Sequence, residues 1–243
     1  MSRPLRVVVV YPDLLGTYGD GGNGLVLARR AERRGIEAEL VQAPSDSPLP
    51  PGDIYTLGGG EDGPQVQATE ALAEDGTLPA AVRDGAVVLA VCAGYQIVGS
   101  TFPTAAGEAV PGLGLLDVTT AKSTARRAVG EIVVDAAPGG VGLLSGFENH
   151  GGRTTLGPGA AALGRVRTGI GNGDGTDGSW AGRVVGTYLH GPVLARNPAL
   201  ADLLLAWATG SDGLDPLDDW REQALRDERL RAALGRRVRR RVR

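Results

Sequence analysis

Apolar residues along the first hundred positions fall into four short runs separated by segments of helical or polar character. "LRVVVVYP" (5–12) is a β-branched run closed by proline, the pattern of a strand buried on both faces. "IEAELVQA" alternates as a strand does, "GDIYTLGGG" breaks into glycines, and "AVVLAVC" is another continuous apolar run. Between them, "GLVLARRAERRG" (24–35) places apolar residues at helical spacing with Gly35 as a stop. Positions 65–84 read as helical, and "GYQIVGSTF" opens a helix. This β-α-β-β-α-β-α order with short loops predicts an α/β protein: a mainly parallel sheet covered by helices on both faces, hence three layers.

The pattern changes in the second half. "GLGLLDVTTAKS", "GEIVVDA", "AALGRVRTG" and "GRVVGTYLHG" are strand-like pieces divided by glycine-rich turns, expected to continue the sheet as an antiparallel extension. Residues 198–209 and 216–235 read as helices, the last opening on Asp215, Asp218 and Asp219 and closing on arginines, in keeping with the helix macrodipole. No internal repeat or linker stands out, so the expectation is a single domain over residues 1–243 with a C-terminal helix and a basic tail at 236–243. That tail reads as a solvated helix end, with attraction to an anionic membrane as the alternative.

Composition narrows the function classes. The 243 residues are 42% hydrophobic, enough for a sizeable core, and 39 glycines imply many turns and close backbone approaches. A net charge of −3 gives no reason to expect a nucleic-acid partner. One cysteine cannot form an internal disulfide, the apolar runs are too short to span a bilayer, and no leader pattern is evident. A cytoplasmic protein is expected. No metal-ligand cluster is expected, and Lys122, the single lysine, lies outside any phosphate-binding GxxxxGK[ST] loop.

The single cysteine, Cys92, ends the run "VVLAV" at a predicted strand terminus, the rim on which open α/β sheets bind ligands. A sharp strand-to-helix turn there would expose its sulfur; the alternative is a small, buried core thiol. A thiol nucleophile needs a base, and the chain has two histidines, His150 and His190. His190, at the end of "RVVGTYLH", is favoured because a strand end in the same sheet shares the rim. Backbone N–H groups of Gly59, Gly60 and Ala93 are candidate oxyanion donors.

These pieces resemble a class I (triad) glutamine amidotransferase domain. "CAGYQ" (92–96) fits that family's nucleophile turn, C-x-G-x-Q. "YGDGGN" (18–23), "GGGEDGPQ" (58–65), "GFENHGGRT" (146–154) and "GTYLHGP" (186–192) are similar to the cobyric-acid-synthase-like subgroup, and within it to the glutaminase small subunits of lipid II isoglutaminyl synthases. The resemblance implies a three-layer, flavodoxin-like fold with Cys92 as nucleophile and His190 as general base. It implies that Gln96 helps hold the substrate, L-glutamine, and that Arg127 binds the glutamine carboxylate. Glu148, Asn149 and His150 are supporting candidates.

The resemblance also implies a Mur-ligase-like partner that uses ATP and Mg to amidate lipid II, so no cofactor is expected in this chain. Lipid II would bring the pair to the inner face of the membrane. A corrinoid acceptor and a non-catalytic scaffold for a ligase are the alternatives. One departure stands out: the broad family completes its triad with a glutamate two residues after the histidine, where this chain has Pro192. Either a Cys92–His190 dyad suffices or another carboxylate orients His190; Glu148 is a local candidate, and an acid from the partner chain is the expected source.

Overall fold

The computed structural model describes residues 3–240, with side chains through residue 235; the basic tail thus lies outside the described side chains. In the first half, β1 (Leu5–Val10), β2 (Ala38–Ala43), β3 (Ile54–Leu57) and β4 (Val87–Val91) occupy the four apolar runs. They alternate with α1 (Gly22–Glu32), α2 (Asp62–Asp75), α3 (Thr77–Arg83) and α4 (Ala93–Val98). Every residue of β3 and β4 is buried, which is why β4 is a continuous apolar run and β3 is interrupted only by Thr56.

Two helical expectations are revised. The segment 65–84 is not one helix: Gly76, at φ 69°, adopts a left-handed turn that ends α2 and starts α3. The helix after Cys92 stops at Val98, and Thr101–Pro103 is instead the short strand β5.

The second half supplies β6 (Ala109–Pro111), β7 (Val118–Lys122), β8 (Ala128–Ala136), β9 (Gly142–His150), β10 (Gly152–Leu156), β11 (Gly164–Thr168), β12 (Thr176–Asp177), β13 (Ser179–Ala181) and β14 (Val184–Thr187). The main sheet has six strands in the order β13-β14-β4-β3-β1-β2, parallel except for β13 at one edge. The chain therefore returns after almost a hundred residues to lay β14 beside β4. The remaining strands do not continue this sheet. They pair among themselves as β10-β7-β5-β6 and β12-β11-β8-β9, and a bridge between Phe147 and His190 joins the latter to the rim of the main sheet. Apolar alternation marks a strand and its buried face but not its neighbour, so this grouping is decided by packing.

Three helices close the chain: α5 (Val193–Arg196), α6 (Pro198–Thr209) and α7 (Trp220–Arg240). Asp215, Asp218 and Asp219 precede α7 instead of opening it. Asp219 meets Arg30 of α1 at 2.7 and 2.8 Å, and Arg30 also holds Asp202 of α6 at 2.8 and 2.7 Å. This nearly buried guanidinium ties α1 to α6 and to the approach of α7. Leu230 and Ala233 of α7 then pack on Val133 of β8.

Candidate active site

Cys92 sits between β4 and α4 at φ 53°, ψ −103°, a backbone region that non-glycine residues rarely occupy. Such a conformation costs about 1–3 kcal/mol and persists only where the surroundings enforce it. Here Cys92 N–H donates to Thr187 O at 2.9 Å, and Gly94 N–H donates to Gly58 O at 3.0 Å. A side chain at 94 would press within 2.7 Å of Leu57 Cβ, so the turn can close against β3 only with glycine there. The strained turn presents the thiol, 7% exposed, to a cavity of about 300 Å³ whose lining includes Tyr18, Asp62, Gln96, Arg127 and His150.

His190 lies three residues beyond β14, on the same rim as Cys92, because β14 and β4 are parallel neighbours. Its ring is buried, with Nδ1 2.8 Å from Asp20 Oδ2 and the Tyr18 ring tilted against it at 4.4 Å between centroids. Nε2 has no hydrogen-bond partner among the described residues. Burial alone would lower the imidazole pKa, but Asp20 and the adjacent Cys92 outweigh it and hold the pKa up at about 9. At neutral pH the ring is thus an imidazolium next to the Cys92 thiol.

The other expected residues divide into those that meet the cavity and those that are otherwise engaged. Gly60 and Ala93 line it, and their N–H groups have no acceptor among the described residues. Gly59 is a correction: its N–H donates to Asp20 Oδ2 at 3.0 Å and is already satisfied, so it is not a free oxyanion donor. The Arg127 Nε and Nη2 donate to Asn149 Oδ1 and O at 2.7 and 3.1 Å, and Arg127 lines the cavity. Asn149 in turn donates to the Tyr18 hydroxyl at 2.9 Å. The amide of Gln96 borders the cavity while accepting from Gln65 Nε2 and donating to the Tyr188 hydroxyl.

Glu148 is the second correction. Its carboxylate accepts from the N–H groups of Ile170 and Gly171 at 2.8 and 2.9 Å and lies 3.5 Å from His150 Nε2. It organises its own loop, not the His190 ring. His150 stacks on Tyr188 at 3.7 Å and contacts the carbonyl of Gly152, a setting distinct from that of His190. The carboxylate that does meet His190 was not among the sequence candidates. Asp20 carried a signal nonetheless: it is an acid in the glycine-rich loop leaving β1, on the rim already assigned to Cys92 and His190.

A thiol on a strained strand-to-helix turn, beside an acid-paired imidazole at the carboxyl edge of a parallel sheet, is the equipment of a cysteine-dependent amide hydrolase. The particular family follows from comparison. The CobB/CobQ-like glutamine amidotransferase domain matches residues 6–198, and this chain belongs to that family. It is 38% identical over 207 residues to the lipid II isoglutaminyl synthase (glutamine-hydrolyzing) subunit GatD of Staphylococcus aureus (strain N315), covering 83% of each chain. It is 34% identical over 209 residues to the corresponding subunit of Streptococcus pneumoniae (strain ATCC BAA-255 / R6), covering 84% of this chain and 80% of that one. A crystal structure of a glutamine amidotransferase shares the fold with a TM-score of 0.57 at 22% identity, covering 84% of this chain and 98% of the other. The chain is therefore a glutamine-hydrolysing enzyme of the glutamine amidotransferase class.

Proposed function

We propose that this chain is the glutaminase subunit of a lipid II isoglutaminyl synthase, with Cys92 as nucleophile and His190 as acid and base. The observation that carries the reading is the cavity itself: its lining holds both the only cysteine and the Arg127 guanidinium, and the His190 imidazolium lies beside that cysteine. The similarity to the two GatD subunits supports the choice of acceptor.

In this reading the Arg127 guanidinium receives the α-carboxylate of L-glutamine, and Gln96 borders the side chain. The Cys92 thiolate attacks the side-chain amide carbon, and the N–H groups of Gly60 and Ala93 receive the developing oxyanion. The His190 imidazolium gives its proton to the leaving nitrogen, and ammonia departs from a glutamyl thioester. Neutral His190 then takes a proton from water as it attacks the thioester, which releases glutamate and restores the thiol. Ammonia released into water would become ammonium, so the acceptor must lie nearby. A Mur-ligase-like partner would use ATP and Mg to activate the D-glutamate α-carboxyl of lipid II, and ammonia would convert it to D-isoglutamine. Among the described residues no helix is long and apolar enough to cross a membrane, so contact with lipid II would come through the partner.

Co-purified with its ligase-type partner, the wild type should amidate lipid II with either glutamine or ammonium chloride as nitrogen source. Cys92→Ala should lose the glutamine-dependent reaction and keep the ammonia-dependent one. Equal glutamine-dependent rates for the two proteins would reject the catalytic assignment, and amidation of a corrinoid but not lipid II would reject the acceptor.

A further inference from the structure

Gln65 closes the stretch "GGGEDGPQ", and the reaction described above gives it no task. It sits at the start of α2, where its N–H donates to Glu61 O at 2.9 Å and its carbonyl accepts from the Thr69 hydroxyl at 2.7 Å. Because α2 packs against α4, the Gln65 side chain reaches Gln96, and its Nε2 donates to Gln96 Oε1 at 2.9 Å. Both side chains are buried, and both line the cavity that holds Cys92. At the other end of the same amide, Gln96 Nε2 donates to the Tyr188 hydroxyl at 3.3 Å. That hydroxyl lies 2.7 Å from Thr154 Oγ1, which in turn lies 2.9 Å from Thr120 Oγ1. The Tyr188 ring is itself confined, stacked on His150 at 3.7 Å and met edge-on by Tyr95 at 5.3 Å. The Gln96 amide thus stands in the middle of a buried row of hydrogen-bonded groups contributed by α2, α4 and the strands behind them.

The local backbone explains why such a row is needed. Gln96 N–H donates to Cys92 O at 3.1 Å, so α4 fixes where Gln96 starts relative to the nucleophile. It does not fix the plane of the amide, because the terminal torsion of a glutamine side chain is broad and the amide can turn over. An amide held at one end can still rotate, whereas one held at Oε1 and Nε2 together cannot. We infer that Gln65 and Tyr188 are positioning residues that hold the Gln96 amide from its two ends in the orientation in which it meets the substrate. The inference rests on the glutaminase reading above, in which Gln96 borders the glutamine side chain. Gln65 acts through Gln96 and not on the substrate directly, and Tyr188 does the same from the strand side.

The test compares the full-length wild type with Gln65→Leu, Gln96→Leu and the double variant, each assayed for glutamine hydrolysis alone and with the ligase-type partner. Gln65→Leu should raise KM by about 2–10-fold, the change expected from one lost hydrogen bond, with a smaller change in kcat. Gln96→Leu should raise KM at least as much. In the double variant, Gln65→Leu should add nothing, since no amide is left to position. Tyr188→Phe removes only the hydroxyl and should follow the same pattern, which keeps the test open if Gln65→Leu does not fold. An unchanged KM in Gln65→Leu and Tyr188→Phe overturns the inference, as does an unchanged KM in Gln96→Leu. Effects of Gln65→Leu and Gln96→Leu that multiply also overturn it, because they would put Gln65 in contact with the substrate or make its role purely structural. A second readout needs no turnover: in heteronuclear NMR the Gln96 side-chain amide, assigned by its loss in Gln96→Leu, should shift and exchange faster with solvent in Gln65→Leu and Tyr188→Phe. An amide signal unaltered in both rejects the inference. If the wild type hydrolyses no glutamine alone or with the partner, the glutaminase reading fails, and the NMR signal still decides whether the pair holds the amide.

Discussion

Replacing Gly59 by alanine would place a methyl carbon 2.6 Å from His190 Cε1 and 3.0 Å from Tyr18 Cδ2. Carbon atoms pack at about 3.5–4.0 Å, so the imidazole would have to retreat by about 1 Å. It has little room to do so: Asp20 holds Nδ1 at 2.8 Å, and Tyr18 lies against the ring. The strain should be shared between the ring and the glycine loop, at about 1–3 kcal/mol of stability for an overpacked site. The larger effect should be catalytic. A displacement of this size in a reacting group can cost about 10²-fold in rate, so kcat should fall by about that factor. Coupled detection of glutamate measures it, with Gly63→Ala as the control. A Cβ at Gly63 meets nothing within 4 Å, and the position lies in the first turn of α2. That variant should keep wild-type kcat and gain up to about 1 kcal/mol from helix propensity. Wild-type activity in Gly59→Ala, or an equal loss in both variants, would show that close packing of the glycine loop does not set the position of His190.

Arg127→Ala should raise KM for glutamine by about 10–100-fold with a smaller change in kcat, because a guanidinium contact to the substrate carboxylate is made in both ground and transition states; steady-state kinetics separate the two. Arg30→Met should destabilise the fold by about 3–5 kcal/mol, since it leaves buried Asp219 with only Arg33 at 3.8 Å, whereas Asp202 keeps Arg34 at 2.8 Å. Calorimetry would register a Tm lower by on the order of 10 °C. Asp177 is fully buried, and desolvation lifts its pKa to about 7 despite the bond from Thr187. The folded state then retains a proton that the unfolded state gives up near pH 4, so this group lowers stability as pH rises from about 4 to 7 and adds no further change above. Asp177→Asn should flatten that decline in denaturant midpoints measured against pH; an unaltered slope would refute the assignment.

Much of the frame was legible in the chain itself. Strands buried on both faces are apolar along nearly their whole length, so β1, β3 and β4 announce themselves, and the long apolar stripe of α6 marks residues 198–209. Cys92 and His190 could be placed on one rim because each closes an apolar run, and ligand sites in such sheets lie at the carboxyl ends of strands. Their pairing across the sheet needed β14 to lie beside β4, as it does. Local pattern could not reveal which second-half strands leave the main sheet, because alternation specifies a buried face and not a neighbour. Nor could it reveal that Gly76 would divide a helical stretch, or that Glu148 would turn to the N–H groups of Ile170 and Gly171.

The sequence by itself determined the class of chemistry: a single thiol at a strand end, a histidine at another, and glycines where backbone must come close. Only the tertiary structure decided which carboxylate meets the histidine. Asp20 and His190 are 170 residues apart, and they meet because the β1 loop is packed against the turn at Pro192. Side-chain partners so distant in the chain are set by topology and close packing, and no local periodicity encodes them.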